Sequence, residues 1–226
     1  MAITPQTLDF LFENRLQNSK EWFHAHKTAY EELVLHPLED LVCALQPVMQ
    51  QIDPKLIIEP KVTRSISRIY RDTRYSKDKS LYRDNMWLIF IRDKKLYEGL
   101  PGFYFDFSQQ GFSYGCGYYQ ASADTMACLR EMILRKEPPF QEALRAYERQ
   151  SVFELDGDCY KRSRYPEYPE NIRQWLDRKN IGFNRDSQDF GLLFSDQLAA
   201  KLAEDFLLLK PLYEFLLLVE SRRERG

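Results

Sequence analysis

Phe103-Tyr104-Phe105-Asp106-Phe107-Ser108-Gln109-Gln110-Gly111-Phe112-Ser113-Tyr114-Gly115-Cys116-Gly117-Tyr118 is the stretch on which the fold turns. Phe103, Phe105 and Phe107 alternate with Tyr104 and Asp106, the period-2 pattern of a half-buried strand. Gln109-Gln110-Gly111 reads as a hairpin turn. Phe112, Tyr114, Cys116 and Tyr118 then alternate on a returning strand, with Ser113, Gly115 and Gly117 between them. Glycines inside a strand mark close approach by a backbone or a ligand, or room for a packing helix. Upstream, residues 86–91 are continuously apolar, as a central strand is. Residues 62–70 are β-prone, with Arg64, Ile66, Arg68 and Tyr70 on one face and Ser65, Ser67 and Ile69 on the other. Residues 71–84 are too charged for a buried strand and read as a long loop.

Helical patterns flank this centre. Thr4-Pro5 is a helix start, followed by Leu8, Leu11, Phe12 and Leu16 at helical spacing. A second helix is expected from Asn18, with Glu21 as capping partner. His36-Pro37 should break or kink the next run before Leu38, Leu41, Val42, Leu45, Val48 and Met49 continue it. After the sheet, helices are expected over 123–135, 140–149 and 172–178, with irregular chain over 151–170 and a short strand over 180–183. Residues 195–221 make one long helix kinked at Pro211. The spacing predicts one α+β domain over 1–226 with a central, mostly antiparallel sheet: helical over 4–50, sheet and basic loop over 62–119, helical with a late strand over 122–221.

Charge is uneven. Residues 61–95 hold eleven basic and four acidic side chains, a local +7 in a chain of net −2, so the remainder is −9. A generic nucleic-acid binder is usually basic overall. Local positive charge points instead to a small site for an anion. Cys43, Cys116, Cys128 and Cys159 show no paired spacing and read as buried small hydrophobes of a reducing compartment. No basic leader followed by an apolar run opens the chain, and no apolar run reaches membrane-spanning length. A cytoplasmic protein without a membrane partner is expected.

Arg71-Asp72-Thr73-Arg74-Tyr75-Ser76-Lys77-Asp78-Lys79-Ser80 resembles the signature of the domain-of-unknown-function family numbered 2461, a set of conserved hypothetical proteins. Asn18-Ser19-Lys20-Glu21-Trp22-Phe23-His24 is similar to that family's early helix motif. Gly157-Asp158 with Tyr160-Lys161-Arg162, then Lys179 before Ile181-Gly182-Phe183, is similar to its downstream motif. The resemblance runs from about residue 8 to residue 215. The chain departs from the family at Leu81 and Arg83, where proline and lysine are usual, and at Ser163-Arg164-Tyr165, where prolines are. The resemblance implies no activity, substrate or cofactor.

Chemistry is concentrated in the basic loop. Arginine offers a planar fork for phosphate or carboxylate, and lysine a mobile point charge. Arg64, Arg68, Arg71, Arg74, Lys77 and Lys79, with Thr73, Ser76 and Ser80, are the candidate ligand-binding residues. Lys161, Arg162 and Lys179 join them on the strength of the resemblance. Set against this is a surface loop tied by its own Arg–Asp and Lys–Asp pairs. Asp106 and Tyr104, sharing a strand face, are the candidates for catalysis. His24 and His26 project about 200° apart on a helix, a poor geometry for one metal, and neither a metal nor a cofactor is called for. Phosphate-loop and dinucleotide fingerprints are missing, so side chains would hold the ligand. The reading is therefore a protein with an arginine- and lysine-rich site for a phosphorylated or other anionic small molecule. Tyr70, Tyr75, Tyr82, Trp87, Tyr97 and Tyr104 interleave with the basic cluster and keep single-stranded nucleic-acid binding as an alternative. A basic loop docking an acidic protein partner is the other.

Overall fold

The computed structural model describes residues 2–74, 76–96 and 99–223; Tyr75, Tyr97 and the side chain of Lys94 lie outside it. Helix α1 (Pro5–Gln17) starts as Thr4-Pro5 predicts: the Thr7 hydroxyl accepts the Thr4 N–H at 3.0 Å. It ends at Asn18, in the left-handed region at φ 48°, a position asparagine tolerates. Ser19, one residue later than expected, caps α2 (Lys20–Ala25) by accepting the Trp22 N–H at 3.2 Å. Helix α3 (Lys27–Tyr30) continues through a π-helical turn, Glu31–Leu35, into α4 (His36–Ile52). The break expected at His36-Pro37 is absorbed in that wider turn. Pro37 falls in the first turn of α4, where its missing N–H matters least.

Five strands follow: β1 (Asn85–Phe90), β2 (Gly102–Ser108), β3 (Gly111–Gly117), β4 (Glu154–Asp156) and β5 (Gly182–Ser187), in the order β1-β2-β3-β5-β4. The sheet is antiparallel, with Leu155 of β4 opposite Phe183 of β5, so the α+β class holds. Strand β4 lies in the stretch expected to be irregular. The glycines of β3 admit the backbone of β5. A Cβ on Gly115 would sit 2.0 Å from the Phe183 carbonyl oxygen, and one on Gly117 2.4 Å from the Gly182 Cα. Strand β1 is buried on one face, not both: Met86, Leu88 and Phe90 are buried, while Asn85, Trp87 and Ile89 are half-buried. It is an end strand of the sheet order, which leaves one of its edges free.

Residues 62–70 form no continuous strand. Isolated bridges join Ile66 to Leu88 and Tyr70 to Tyr82. A tight turn causes the interruption. Thr63 adopts φ 70°, Arg64 N–H reaches the Lys61 carbonyl at 3.0 Å, and the Ser65 hydroxyl accepts the Glu59 N–H at 2.9 Å. Beyond it, Ser67 N–H bonds the Trp87 carbonyl and Ile89 N–H the Ser65 carbonyl, each at 2.9 Å, covering the free edge of β1. The expected shared face of Arg64, Ile66, Arg68 and Tyr70 is also corrected: Ile66 is fully buried and the other three are exposed.

Helices α5 (Ala123–Leu134), α6 (Pro138–Glu148), α7 (Glu170–Leu176) and α8 (Phe190–Leu193) precede α9 (Leu198–Leu208) and α10 (Lys210–Arg223). The long kinked helix expected over 195–221 is two helices, because Pro211 cannot donate to the preceding turn. The chain gathers into two compact units of three stretches each: residues 1–90, 104–114 and 186–204, and residues 91–103, 115–185 and 205–226. In the first unit Leu11, Val34, Leu38, Val42, Ile66, Met86 and Leu88 are buried. In the second, α10 packs on α5 and α6, and Phe140, Phe183 and Phe215 surround Trp175. Of the cysteines only Cys116 is fully buried; Cys43 and Cys159 are exposed and Cys128 is half-buried. The expectation of four buried cysteines fails because Cys43 lies on the solvent side of α4 and Cys159 in a loop. Among the described residues no helix is long and apolar enough to cross a membrane.

Candidate functional site

The basic loop is organised by its acids. Asp78 accepts from Arg15 of α1 at 2.9 Å, from Arg71, and from the backbone and hydroxyl of Ser80 at 2.9 and 2.6 Å. The Ser80 hydrogen bonds, then Arg71, hold its carboxyl well below the usual carboxylate range. Asp72 takes the Arg74 guanidinium at 2.6 Å, which with the Arg74 backbone lowers its pKa to about 2. Lys79 Nζ donates to the Thr73 carbonyl at 2.8 Å, and Arg64 Nε to Glu59 at 3.1 Å. The loop is anchored to α1 at its far end, where Leu81 N–H donates to Asn18 Oδ1 at 2.7 Å. Arg64, Arg71, Arg74 and Lys79 are thus engaged within the first unit. Those pairs are solvent-exposed or nearly so and fix geometry more than they stabilise. Arg68 and Lys77 are exposed and make no ion pair among the described residues.

The half-buried face of β1 and β2 carries the more unusual chemistry. Arg83 enters β1 with its guanidinium 4.4 Å over the Trp87 ring. Its Nε is buried and has no hydrogen-bond partner among the described residues. Burial first, and then the charges of Arg71 and Arg68, pull its pKa below the ordinary arginine value, while Asp106 and Asp72 oppose that shift. Asp106, on β2 between buried Phe105 and Phe107, accepts from the Asn85 amide at 2.7 Å. Burial pushes its pKa up to about 6, against the pull of Asn85 and Arg83. Tyr104 is half-buried on the same face of β2. A carboxyl titrating near neutrality and guanidiniums within electrostatic reach of one another can bind an anion and exchange a proton.

Cys116 offers no nucleophile, because complete burial drives its thiol pKa well above the usual range. Among the described residues no group of three or more His, Cys, Asp or Glu side chains is placed to hold a metal ion.

Lys161, Arg162 and Lys179 belong to the second unit. All three are exposed, and Lys179 Nζ lies 5.6 Å from the Tyr160 ring. Arg164 and Arg130 face that same ring at 3.8 and 5.4 Å.

The sequence profile of the conserved hypothetical protein family DUF2461 matches residues 6–215. The chain belongs to that family. No curated protein matches it, and no solved structure does. Two of the three segments of this DUF2461 chain that resemble family motifs, residues 71–80 and 157–183, are cationic and held by internal hydrogen bonds.

Sequence reasoning missed Arg15, Arg83 and Asn85 in the first unit, where it named Trp87 only as one aromatic among the basic cluster, and Arg130, Tyr160 and Arg164 in the second. Reading 86–91 as a strand buried on both faces hid the signal at Trp87. Polar Asn85 two residues before it, in register, points to an open face.

Proposed function

We propose that this protein binds a small phosphorylated or otherwise anionic molecule at Arg68, Arg71 and Arg83 of its first unit. Arg83 carries the reading, with its buried Nε lacking an acceptor and the like charges of Arg68 and Arg71 acting on it. One anion beside the guanidinium relieves the repulsion and offsets the positive charge held next to the buried Nε. Arginine forks suit phosphate bidentately, and the Trp87 ring offers a flat apolar surface beside them. Lys77 adds mobile charge, while Arg64, Arg74 and Lys79 are bound to their own partners. Asp106 and Tyr104 are the residues to which chemistry on the ligand would fall. Exposed Cys43 and Cys159 suit a reducing compartment, and we take the cytoplasm as the location.

Calorimetric titration of inorganic phosphate into the wild type and an Arg68→Ala, Arg83→Gln variant tests the assignment. Loss of each charge-assisted contact should weaken binding about tenfold. Equal affinity in both proteins overturns it. If only an oligonucleotide or an acidic protein binds, and phosphate does not, the reading passes to nucleic-acid binding or to protein docking.

A further inference from the structure

We propose that the second unit carries a binding site of its own for the phosphoryl group of an organic phosphate monoester, centred on Tyr160 and built by Arg130, Arg164 and Lys179. Three segments remote in sequence supply it: α5 gives Arg130, the loop after β4 gives Tyr160 and Arg164, and the chain after α7 gives Lys179. The Arg164 guanidinium lies 3.8 Å from the Tyr160 ring centroid, that of Arg130 5.4 Å, and the Lys179 amino group 5.6 Å. The electron-rich face of the ring attracts each cation, but at exposed sites that attraction is no larger than the repulsion among three neighbouring positive charges. The ring therefore orients the cations without neutralising them.

Two acids of these segments are already engaged. The Asp177 carboxylate accepts the backbone N–H of Arg164 at 2.9 Å, and Glu131 pairs with Arg135 at 2.6 Å. Lys161 and Arg162, exposed and without an ion pair among the described residues, raise the local charge further.

Backbone hydrogen bonds fix the arrangement before any ligand arrives. Tyr160 N–H donates to the Asp177 carbonyl at 2.9 Å and Lys179 N–H to the Asp158 carbonyl at 2.6 Å. Arg130 Nε donates to the Leu176 carbonyl at 2.9 Å, and its Nη2 to that of Arg178. Arg178 Nη2 in turn holds the Leu155 carbonyl at 2.7 Å. Such pre-organisation lowers the entropy lost on binding.

The ligand class follows from what adjoins the cations. An open groove of about 480 Å³ shares Arg130 with the cluster and is lined besides by Ala127, Leu134 and Tyr165 and by the paired Glu131 and Arg135. That volume lies within the range of small-molecule sites, about 300–1,000 Å³. Cations at one end select a phosphoryl group, and the apolar and aromatic wall suits a flat or apolar body attached to it.

Phenyl phosphate and inorganic phosphate, titrated calorimetrically into the Arg68→Ala, Arg83→Gln protein, isolate this site from the one in the first unit. Phenyl phosphate should bind more tightly than inorganic phosphate. Arg164→Ala and Lys179→Ala, both at exposed positions, should each weaken it about tenfold. Leu134→Glu, which puts a charge into the groove, should erase the preference for the phenyl ester. Unchanged affinity in both cation variants overturns the proposal, as does absence of phenyl phosphate binding. Inorganic phosphate affinity that is equal in the wild type and the Arg68→Ala, Arg83→Gln protein, with phenyl phosphate still held here, would leave this site standing and remove only the first.

Discussion

Asp106 changes its charge near neutrality because burial on its face of β2 outweighs the help of Asn85 and Arg83. The folded pKa of about 6 lies above the ordinary 3.8, so the folded state holds this proton more tightly than the unfolded chain. Its stabilising effect is complete below about pH 4 and is lost as pH rises through about 6. Urea unfolding of the wild type and of Asp106→Asn should therefore diverge between pH 4 and 7. The wild type should lose up to about 1.4 kcal/mol per pKa unit of displacement, less the screening that partial exposure brings. A stability difference that does not vary with pH would contradict the assignment. Asp106 was legible in the sequence because an acid between two phenylalanines on a strand is conspicuous. Arg83 was not, since its partners depend on which face of β1 stays open, and alternation alone does not say what covers a face.

At the scale of elements, the hairpin and its glycines were readable from periodicity. What occupied the space at Gly115 and Gly117 was not, because a helix and a neighbouring strand make the same demand on a strand glycine. The occupant is the β5 backbone, which cannot rotate aside as a side chain can. Gly115→Ala should destabilise the protein by about 1–3 kcal/mol through overpacking, read as a lowered thermal midpoint. A midpoint equal to that of the wild type would mean that β3 and β5 are farther apart than described. Residues 62–70 misled in the opposite direction. Their composition is that of a strand, but Thr63 at φ 70° and the Ser65 side-chain bond to Glu59 convert the first half into a turn. The loop after it was correctly read as charged, yet its anchoring by Arg15 and Asn18 of the first helix region was invisible, since nothing local in 71–84 names a partner sixty residues away.

Over the whole molecule, a local +7 within a chain of net −2 separates a compact anion site from an extended nucleic-acid track. Of its eleven cations, Arg64, Arg71 and Arg74 are paired with Glu59, Asp78 and Asp72, which leaves fewer for a line of phosphates. Fluorescence anisotropy with a labelled single-stranded oligonucleotide should show no binding at about 150 mM salt, where a multi-phosphate contact would reveal itself by a steep salt dependence. Steep, salt-sensitive binding would contradict the small-ligand reading. The α+β class was legible from the order of periodicities, helix before and after sheet. The gathering of three separate stretches into each of two units was not, because it depends on contacts between segments far apart in sequence.

The central claim is that Arg83 waits for an anion, and the resonance of its Nε–H reports on this directly. In a ¹⁵N-resolved NMR titration with inorganic phosphate, that signal should shift and saturate as the anion settles beside the guanidinium. If it stays in place while phosphate binds elsewhere or not at all, the account is wrong.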